Sequence, residues 1–353
     1  MRILFVALTA IAACSPSSAQ KQDVLPFTVT SSQSFSSPWA MTFLGNDGAS
    51  LITERDGKLL YGIAGKPMVA VQGTPKVDEG GQGGLGDVIA HPAWATNGMI
   101  YLSWVEAGTN GTRGAVVGRA KLILGNGAPR LDGMTIIWRQ APKVSGRGHF
   151  GHRMAFGPDG KLYVSSGERQ KFDPAQDDGA TLGKIIMMND DGSDAKIVSK
   201  GHRNPLGLAF DATGQLWDSE MGPQGGDELN LVKTGANYGW PLASNGSHYD
   251  GRDIPDHRPS DGFEAPKVWW NPSISPGSLM IYSGDMLADW KGNAFIGALG
   301  GEGLIRIALD GSNARIAEQW AMGARIREVE QGPDGALWLL EDGGRLIKLT
   351  PKP

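Results

Sequence analysis

The stretch PDGKLYVSSGE, residues 158–168, decides the fold, because it joins a tight turn to a strand and its pattern recurs along the chain. Pro, Asp and Gly are turn residues, and Gly160 tolerates a positive φ angle. The residues that follow alternate between apolar and polar, as in a half-buried strand. The same turn glycine with its strand is found at Gly48, Gly98, Gly160, Gly214, Gly292 and Gly335.

Six such units predict an all-β chain folded as a six-bladed β-propeller. A β-sandwich or two unrelated β domains are the alternatives, but six similar units along one chain favour the propeller. No long segment has helical periodicity. We expect the strand near Phe27–Thr30 to pair with the last blade near Arg345–Leu349, because this closure removes a free sheet edge.

The composition permits a large core and excludes two classes of protein. The chain has 353 residues, of which 40% are hydrophobic, so global disorder is excluded. The net charge of −4 gives no electrostatic case for nucleic-acid binding.

The N-terminus is typical of an exported protein. A basic start is followed by the apolar run Ile3–Ala13 and then by Cys14, the only cysteine, so no intrachain disulfide forms. The apolar run is too short to span a bilayer permanently. We predict a lipoprotein-type signal peptide over 1–13, a tether over 14–26 and the propeller over 27–353. Lipidation of Cys14 would anchor a periplasmic protein to the membrane; ordinary cleavage after Ala19 is the alternative.

A histidine between glycines is a candidate general base. His149 lies in GRGHFGHR, and Glu168 ends the following strand. Neutral imidazole suits base catalysis near pH 7, and a carboxylate on the other ring nitrogen would fix its tautomer. His152 is a rival, because either imidazole could face the channel, and a polar surface role is the alternative for both.

Two further segments carry groups suited to a flat anionic ligand. The loop EGGQGGLG lacks the Lys-Ser/Thr of a phosphate loop, but it would bring the Gln82 amide close to a ligand. Arg325 and Arg327 alternate around Ile326, so both guanidiniums lie on one face and suit carboxylates. A flexible connection and a solvated strand face are the respective alternatives.

The segment 201–241 combines groups for an anion with groups for a hard cation. Backbone carbonyls and carboxylates are ligands that Ca²⁺ prefers, although the spacing matches no EF-hand loop. Acidic loop residues are otherwise usually just solvated. The segment contributes an Arg–Asn pair (Arg203, Asn204), a carbonyl corner (Gly222, Pro223) and two acids (Asp227, Glu228).

At these residues the chain resembles the soluble PQQ-dependent glucose and aldose sugar dehydrogenases, and most closely the shorter bacterial aldose sugar dehydrogenases. The resemblance runs in family order through nearly the whole mature chain. Its segments are EGGQGGLGDVIAHP, GHFGHRMAFGPDGKLYVSSGE, GHRNPLGLAF, SEMGPQGGDELNLVKTGANYGWP and RIREVEQGPDGALWLL.

The resemblance implies a six-bladed propeller with PQQ and Ca²⁺ that oxidises an aldose at C1 to a lactone and passes electrons to an unidentified acceptor. It implies that His149 is the base and Glu168 its support, with Arg203 at the reactive quinone edge. The implied cofactor residues are Gln82, Arg203, Asn204, Arg325 and Arg327. The implied Ca²⁺ ligands are the carbonyls of Gly222 and Pro223 beside PQQ, and Glu228 with the Tyr238 carbonyl at a second, structural ion.

The chain departs from the family at one position. Glucose-oxidising relatives carry a cofactor-binding lysine in the fifth-blade strand, where this chain has Gly300 in ALGGE. We expect weaker PQQ binding, by roughly 1.5–3 kcal/mol for a lost charged hydrogen bond, or another cation in its place.

Two other functions remain open on the sequence. A Ca²⁺-dependent propeller lactonase or hydrolase would use Glu168 or Asp227 around a central metal and no quinone. A non-catalytic propeller would bind a glycan or a partner protein. The sequence also leaves monomer and homodimer open.

Overall fold

Six four-stranded blades surround a central channel, as the repeat predicts. The computed structural model describes residues 21–22, 24–63, 66–125 and 127–353. The predicted signal peptide and Cys14 lie outside the described residues. Each blade is an antiparallel sheet, and the first strand of each of blades 1–6 is its inner strand, which packs against neighbouring inner strands.

The strands of the first three blades follow one another along the chain. They are Pro38–Phe43, Ala49–Glu54, Leu59–Ile63 and Val69–Ala70 in blade 1; Leu85–Ala90, Met99–Ala107, Arg113–Ile123 and Arg130–Arg139 in blade 2; and Gly151–Phe156, Leu162–Ser166, Lys184–Met188 and Lys196–Lys200 in blade 3.

The last three blades include the closing strand and an added edge strand. They comprise Pro205–Phe210, Leu216–Glu220, Asp227–Val232 and Val268–Trp270 in blade 4; Met280–Ile281, Ala294–Ala298, Gly303–Asp310 and Asn313–Ala321 in blade 5, with Lys21–Gln22 added in parallel at its outer edge; and Ile326–Gln331, Leu337–Glu341, Arg345–Pro351 and Phe27–Ser34 in blade 6.

Little else in the described chain is regular. A two-stranded ribbon joins Gln224–Gly225 to Gly246–Ser247. The helical turns are Trp94–Asn97, Thr109–Gly111, Asp173–Ala175 and Ala288–Trp290. Within the described residues, no helix has the length and apolar character that crossing a bilayer requires.

The turn glycines behave as the sequence predicts. All six adopt positive φ angles, between 64° and 86°. In four of the six repeats, the fifth residue after the glycine has a hydroxyl group, and its hydrogen bond joins the blade to the next one. The hydrogen bonds run from Thr53 Oγ1 to the Gly86 carbonyl (2.6 Å), Ser103 Oγ to His152 Nδ1 (2.8 Å), Ser165 Oγ to the Pro205 carbonyl (3.0 Å) and Ser219 Oγ to the Ser278 carbonyl (3.4 Å).

The ring closes with strands from both ends of the domain, which confirms the predicted pairing. Phe27 pairs with Pro351, and Thr30 pairs with Lys348. The Phe27 ring lies edge-on to Trp290 at 5.2 Å and to Trp320 at 5.1 Å. The closing strand is therefore fixed both by its backbone ladder and by one buried aromatic ring.

Replacing Phe27 by Ala is expected to lower the free energy of unfolding by about 3–5 kcal/mol, because a buried aromatic ring is lost and a cavity is left. Thermal or denaturant unfolding measures the change. Val29→Ala is the matched control on the same strand, because Val29 is 45% exposed and should change stability by no more than about 0.5 kcal/mol. Equal effects of the two substitutions would contradict this account of the closure.

Candidate active site

Loops between the blades form two adjoining pockets that contain most of the predicted site residues. The larger pocket has a volume of about 300 Å³ and is lined by residues including Trp39, Gln82, His152, Asn204, Arg325 and Arg327. The smaller pocket is lined by residues including His149, Glu168, Phe172, Arg203, Pro223 and Trp240. The structure thus brings together residues from five separate sequence segments.

His149 and Glu168 form a hydrogen-bonded pair in the smaller pocket. His149 Nδ1 lies 2.5 Å from Glu168 Oε1, and both side chains are buried. The other oxygen, Glu168 Oε2, accepts hydrogen bonds from the amides of Lys171 and Phe172 at 2.5 and 2.6 Å. Because the carboxylate only accepts, Nδ1 carries the proton and Nε2 keeps its lone pair.

The surroundings keep His149 neutral. Burial lowers the pKa of His149 below its ordinary value; the Glu168 hydrogen bond raises it, and the Arg203 charge lowers it further. Burial raises the pKa of Glu168, but the hydrogen bonds from His149 and from the Phe172 amide oppose this, so the net shift is downward. A neutral imidazole beside an ionised carboxylate is the arrangement that a general base needs.

His152, the rival base, has a different environment. Its Nδ1 is hydrogen-bonded to Ser103 Oγ, and its ring stacks on Trp39 at 5.0 Å with an interplanar angle of 18°. Burial lowers the pKa of His152 to about 3. Among the described residues, no carboxylate is hydrogen-bonded to it. His152 therefore forms part of the wall of the larger pocket.

The Gly-rich loop sets the backbone of His149. The side-chain oxygen Gln82 Oε1 accepts a hydrogen bond of 2.7 Å from the backbone amide of His149. The backbone amide of Gln82 donates a hydrogen bond of 2.8 Å to the Arg147 carbonyl. Arg55, which the sequence did not single out, lines the larger pocket and donates to the carbonyls of Gly81 and Gly83.

The Arg203–Asn204 pair is held by a buried carboxylate. Glu220 Oε2 accepts from the amides of Arg203 (2.6 Å) and Asn204 (3.2 Å). Arg203 Nη1 donates to the Met221 carbonyl at 2.8 Å. The buried Arg203 Nε has no hydrogen-bond partner among the described residues.

Arg325 and Arg327 lie on one side, as predicted, and share Asp342. Arg325 Nε donates to Asp342 Oδ2 at 3.0 Å, and Arg327 Nη2 donates to Oδ1 at 2.7 Å. Arg325 itself immediately precedes its strand, and Ile326 is buried in the core. Two guanidiniums against one carboxylate leave this part of the pocket with excess positive charge.

Neighbouring chain occupies the space beside Gly300. An added Cβ there would lie 2.8 Å from Ser275 Oγ and 3.4 Å from the Ile274 carbonyl. Ser275 itself lines the larger pocket. A side chain at position 300 would therefore require at least the Ser275 hydroxyl to shift.

The Gly222–Pro223 corner is shaped by Asp227. The Gly222 amide donates to Asp227 Oδ1 at 2.8 Å, and the amides of Ile274 and Ser275 donate to Oδ2 at 2.7 and 2.6 Å. Asp227 thus folds the loop through backbone amides, while Pro223 lines the pocket next to His149. Because both oxygens already accept these hydrogen bonds, the Asp227 carboxylate has little capacity left to bind a metal. The hydrolase alternative would require it to bind a catalytic metal.

Glu228 and Tyr238 line a small crevice together with Glu220. Burial, followed by the adjacent Glu220 carboxylate, raises the pKa of Glu228 well above its ordinary value. A cation bound there would favour its ionised form. Next to Glu220, His202 also contacts Asp218. Burial alone would lower the pKa of His202, but the two carboxylates have the larger effect and raise it to about 10.

Sequence reasoning missed several pocket residues that come from remote segments. Trp39, Arg55 and Asp342 all line the larger pocket. Asp342 lies just after the second strand of blade 6, and Glu168 lies just after the second strand of blade 3. Alignment of the repeats could therefore have identified Asp342 as a pocket residue. Trp39 opens an inner strand, where an aromatic residue is equally consistent with the core.

The fold and site together define a propeller oxidoreductase, and comparison with known proteins gives its family. Residues 35–348 match the family model described as glucose/sorbosone dehydrogenase, and the chain belongs to this family. It is 36% identical over 338 residues to the aldose sugar dehydrogenase YliI of Escherichia coli, a match that covers 89% of this chain and 90% of the relative.

Solved structures agree with this assignment. The soluble aldose sugar dehydrogenase of Escherichia coli, in its apo form, matches with a TM-score of 0.86 and 35% identity over 92% of this chain and 100% of that chain. The PQQ-bound aldose sugar dehydrogenase of Streptomyces coelicolor matches with a TM-score of 0.75 and 27% identity over 92% and 98% of the two chains. Family membership favours a sugar dehydrogenase over the hydrolase and non-catalytic alternatives.

Proposed function

We propose that this enzyme oxidises aldose sugars at C1 to lactones, with PQQ as the hydride acceptor and Ca²⁺ as its partner. The observation that carries the proposal is the His149–Glu168 pair, which is buried beside a pocket lined by arginines. A neutral base, a planar cavity wall and excess positive charge suit proton removal next to a flat polyanionic cofactor.

The lining of the larger pocket supplies charged and polar groups that would suit PQQ. Arg325 and Arg327 would pair with its carboxylates, and Arg203, which lines the adjoining smaller pocket, would donate to a quinone oxygen. Gln82 and Asn204 line the same pocket and supply amide groups. Arg55 contributes a further positive charge, which offsets the absence of a lysine at position 300.

His149 would perform the proton transfer. Its Nε2 takes the proton of the sugar's anomeric hydroxyl, and Glu168 stabilises the imidazolium that forms. When bound, PQQ supplies an ortho-quinone that accepts the hydride from C1. Arg203 is placed to stabilise developing negative charge, because its guanidinium lies in the same pocket as His149.

Two Ca²⁺ sites complete the proposal. The carbonyls of Gly222 and Pro223 would hold the ion beside the cofactor, since Pro223 lines the His149 pocket. Glu228 and the Tyr238 carbonyl would hold a structural ion. Among the described residues, the buried Glu228 carboxylate accepts one hydrogen bond, from Asn230 Nδ2 at 3.3 Å, and His257 Nε2 lies 3.9 Å from Oε1, so the carboxylate has lone pairs to spare.

The decisive experiment is a PQQ titration of the purified protein with and without Ca²⁺, followed by dye reduction with a panel of aldoses. We expect saturable PQQ binding that strengthens with Ca²⁺, a bound-quinone spectrum and aldose-dependent dye reduction. Absence of PQQ binding at micromolar concentrations would overturn the cofactor assignment. Binding without turnover of any aldose would overturn the substrate assignment alone.

The neutral state of His149 predicts a low titration midpoint in the apo-protein. Because burial lowers its pKa, the His149 imidazole should gain its proton only below pH 6.5, the ordinary value. In Glu168→Gln the midpoint should fall further, because the carboxylate raises the pKa. NMR titration of the imidazole resonances, assigned with His149→Gln, measures both. A midpoint above 6.5 would contradict the burial of this ring.

Export and anchoring complete the proposed setting of the enzyme. The N-terminal sequence supports a periplasmic location with lipid attachment at Cys14, and mass spectrometry of the mature N-terminus distinguishes this from cleavage after Ala19.

A further inference from the structure

One guanidinium in the central channel contacts all six blades. Arg153 is on the inner strand of blade 3 and is 6% exposed. Its Nε donates to the Leu206 carbonyl of blade 4 at 2.7 Å, and its Nη2 donates to the Gly277 carbonyl before blade 5 at 2.8 Å. Its Nη1 donates to Asp87 of blade 2 at 3.2 Å and to Glu328 of blade 6. Its Cζ lies 4.2 Å from the ring centroid of Trp39 in blade 1.

The partners of Arg153 are themselves fixed. Asp87 Oδ2 accepts from the Met154 amide at 2.8 Å, and Glu328 Oε1 accepts from the Val329 amide at 3.2 Å. Asp87 and Glu328 are each 4% exposed. A buried carboxylate that loses its cation is strongly destabilised, so the cluster depends on the guanidinium. A lysine could supply the charge but not the fork of five donors.

This cluster lies directly against the wall of the larger pocket. Trp39 and His152, which stack on each other, form what we call the pocket floor, and both line the pocket. Trp39 contacts the Arg153 guanidinium directly. His152 is hydrogen-bonded to Ser103 Oγ, and the same oxygen accepts a hydrogen bond of 2.8 Å from the Asp87 backbone amide. An added Cβ at Gly86 would lie 2.0 Å from His152 Cε1, so the backbone of blade 2 also confines this ring.

We propose that Arg153 is a positioning residue for the cofactor, because it holds the inner strands that present the stacked Trp39–His152 floor. The proposal rests on the proposed PQQ-dependent function. Planar aromatic surfaces bind flat ligands by offset stacking, and the stacking energy falls when the ring shifts or tilts. Arg153 thus acts on the cofactor through the floor and not through contact with it.

The test compares Arg153→Lys with wild type in PQQ titrations at saturating Ca²⁺, read by the absorbance of bound PQQ. We expect the Kd for PQQ to rise at least tenfold, while kcat at saturating PQQ changes less than threefold. Trp39→Leu, which removes the floor directly, should raise the Kd by a similar factor. A purely structural role would lower the melting temperature of Arg153→Lys without changing the Kd of the folded protein.

Arg306→Lys is the matched control. Arg306 is partly buried, with a side chain 13% exposed, pairs with Glu318 and Asn293, and lies 5.1 Å from the Trp290 ring centroid, but it is on blade 5 and does not line the pocket. The Arg306→Lys substitution should lower the melting temperature and leave the Kd for PQQ unchanged. A wild-type Kd in Arg153→Lys, or an equal rise in Arg306→Lys, overturns the proposal.

Two further results keep the test decisive. If Arg153→Lys does not fold, Glu328→Gln replaces it, because this change removes one charge of the cluster and keeps its shape. The Kd for PQQ should still rise in Glu328→Gln. An unchanged Kd in both Glu328→Gln and Trp39→Leu overturns the proposal. If the wild-type protein binds no PQQ, the proposed function fails first, which separates the two failures.

Discussion

Replacing His149 by Gln is expected to lower kcat by roughly 10²- to 10⁴-fold, the usual contribution of a positioned general base. The imidazole is the group in the smaller pocket that is both neutral and oriented by a carboxylate. Glutamine keeps a similar volume and a polar end but removes no proton. PQQ affinity should change little, because the cofactor residues lie mainly in the larger pocket.

Stopped-flow reduction of bound PQQ by a saturating aldose measures this effect on the chemical step. His248→Gln is the control, because His248 lines the same pocket and contacts Phe172 edge-on. It should retain turnover within about threefold, since among the described residues no acid is hydrogen-bonded to its ring. Full turnover in His149→Gln would remove His149 as the base.

Replacing Arg327 by Gln is expected to weaken PQQ binding by about 1.5–3 kcal/mol, the usual value of a hydrogen bond to a charged group, which is roughly 10- to 150-fold in Kd. The Arg327 side chain is 13% exposed, so its charge is poorly screened by solvent, whereas that of Arg325 is 48% exposed. The same change at Arg325 should therefore have a smaller effect.

Equilibrium titration with PQQ measures the change in Kd, and the effect should weaken at high salt less for Arg327 than for Arg325. Arg345→Gln is the control on the same blade, because Arg345 pairs with Glu341 and does not line the pocket. An unchanged Kd in Arg327→Gln would place the cofactor carboxylates elsewhere, with Arg55 as the next candidate.

The sequence predicted the blades because each depends on local chemistry. A turn glycine and a period-two strand occur within about a dozen residues, so every repeat can be recognised without its neighbours. The same is true of Arg325 and Arg327, whose common side follows from strand geometry. The His149–Glu168 contact was predictable because both belong to one blade and its entry loop.

The rest of the site depends on contacts between segments far apart in the chain. The packing of Ser275 against Gly300 joins two loops of blade 5, and the contact of Arg153 with Trp39 is set by how blades 3 and 1 meet at the central channel. No local pattern encodes such contacts. The weaker PQQ binding expected from Gly300 in place of a lysine remains a prediction. The Ca²⁺ ligands and the PQQ residues remain predictions that the titrations above will test.

The sixth blade, which takes three strands from the end of the domain and one from its beginning, has a consequence for biogenesis. Residues 27–34 leave the ribosome early but have no partner until residues 345–351 arrive. During synthesis this segment must remain extended and unpaired, available to chaperones and proteases. Loss of the last few residues would therefore release the first strand as well, so that a nonsense mutation near the C-terminus damages both ends of the domain.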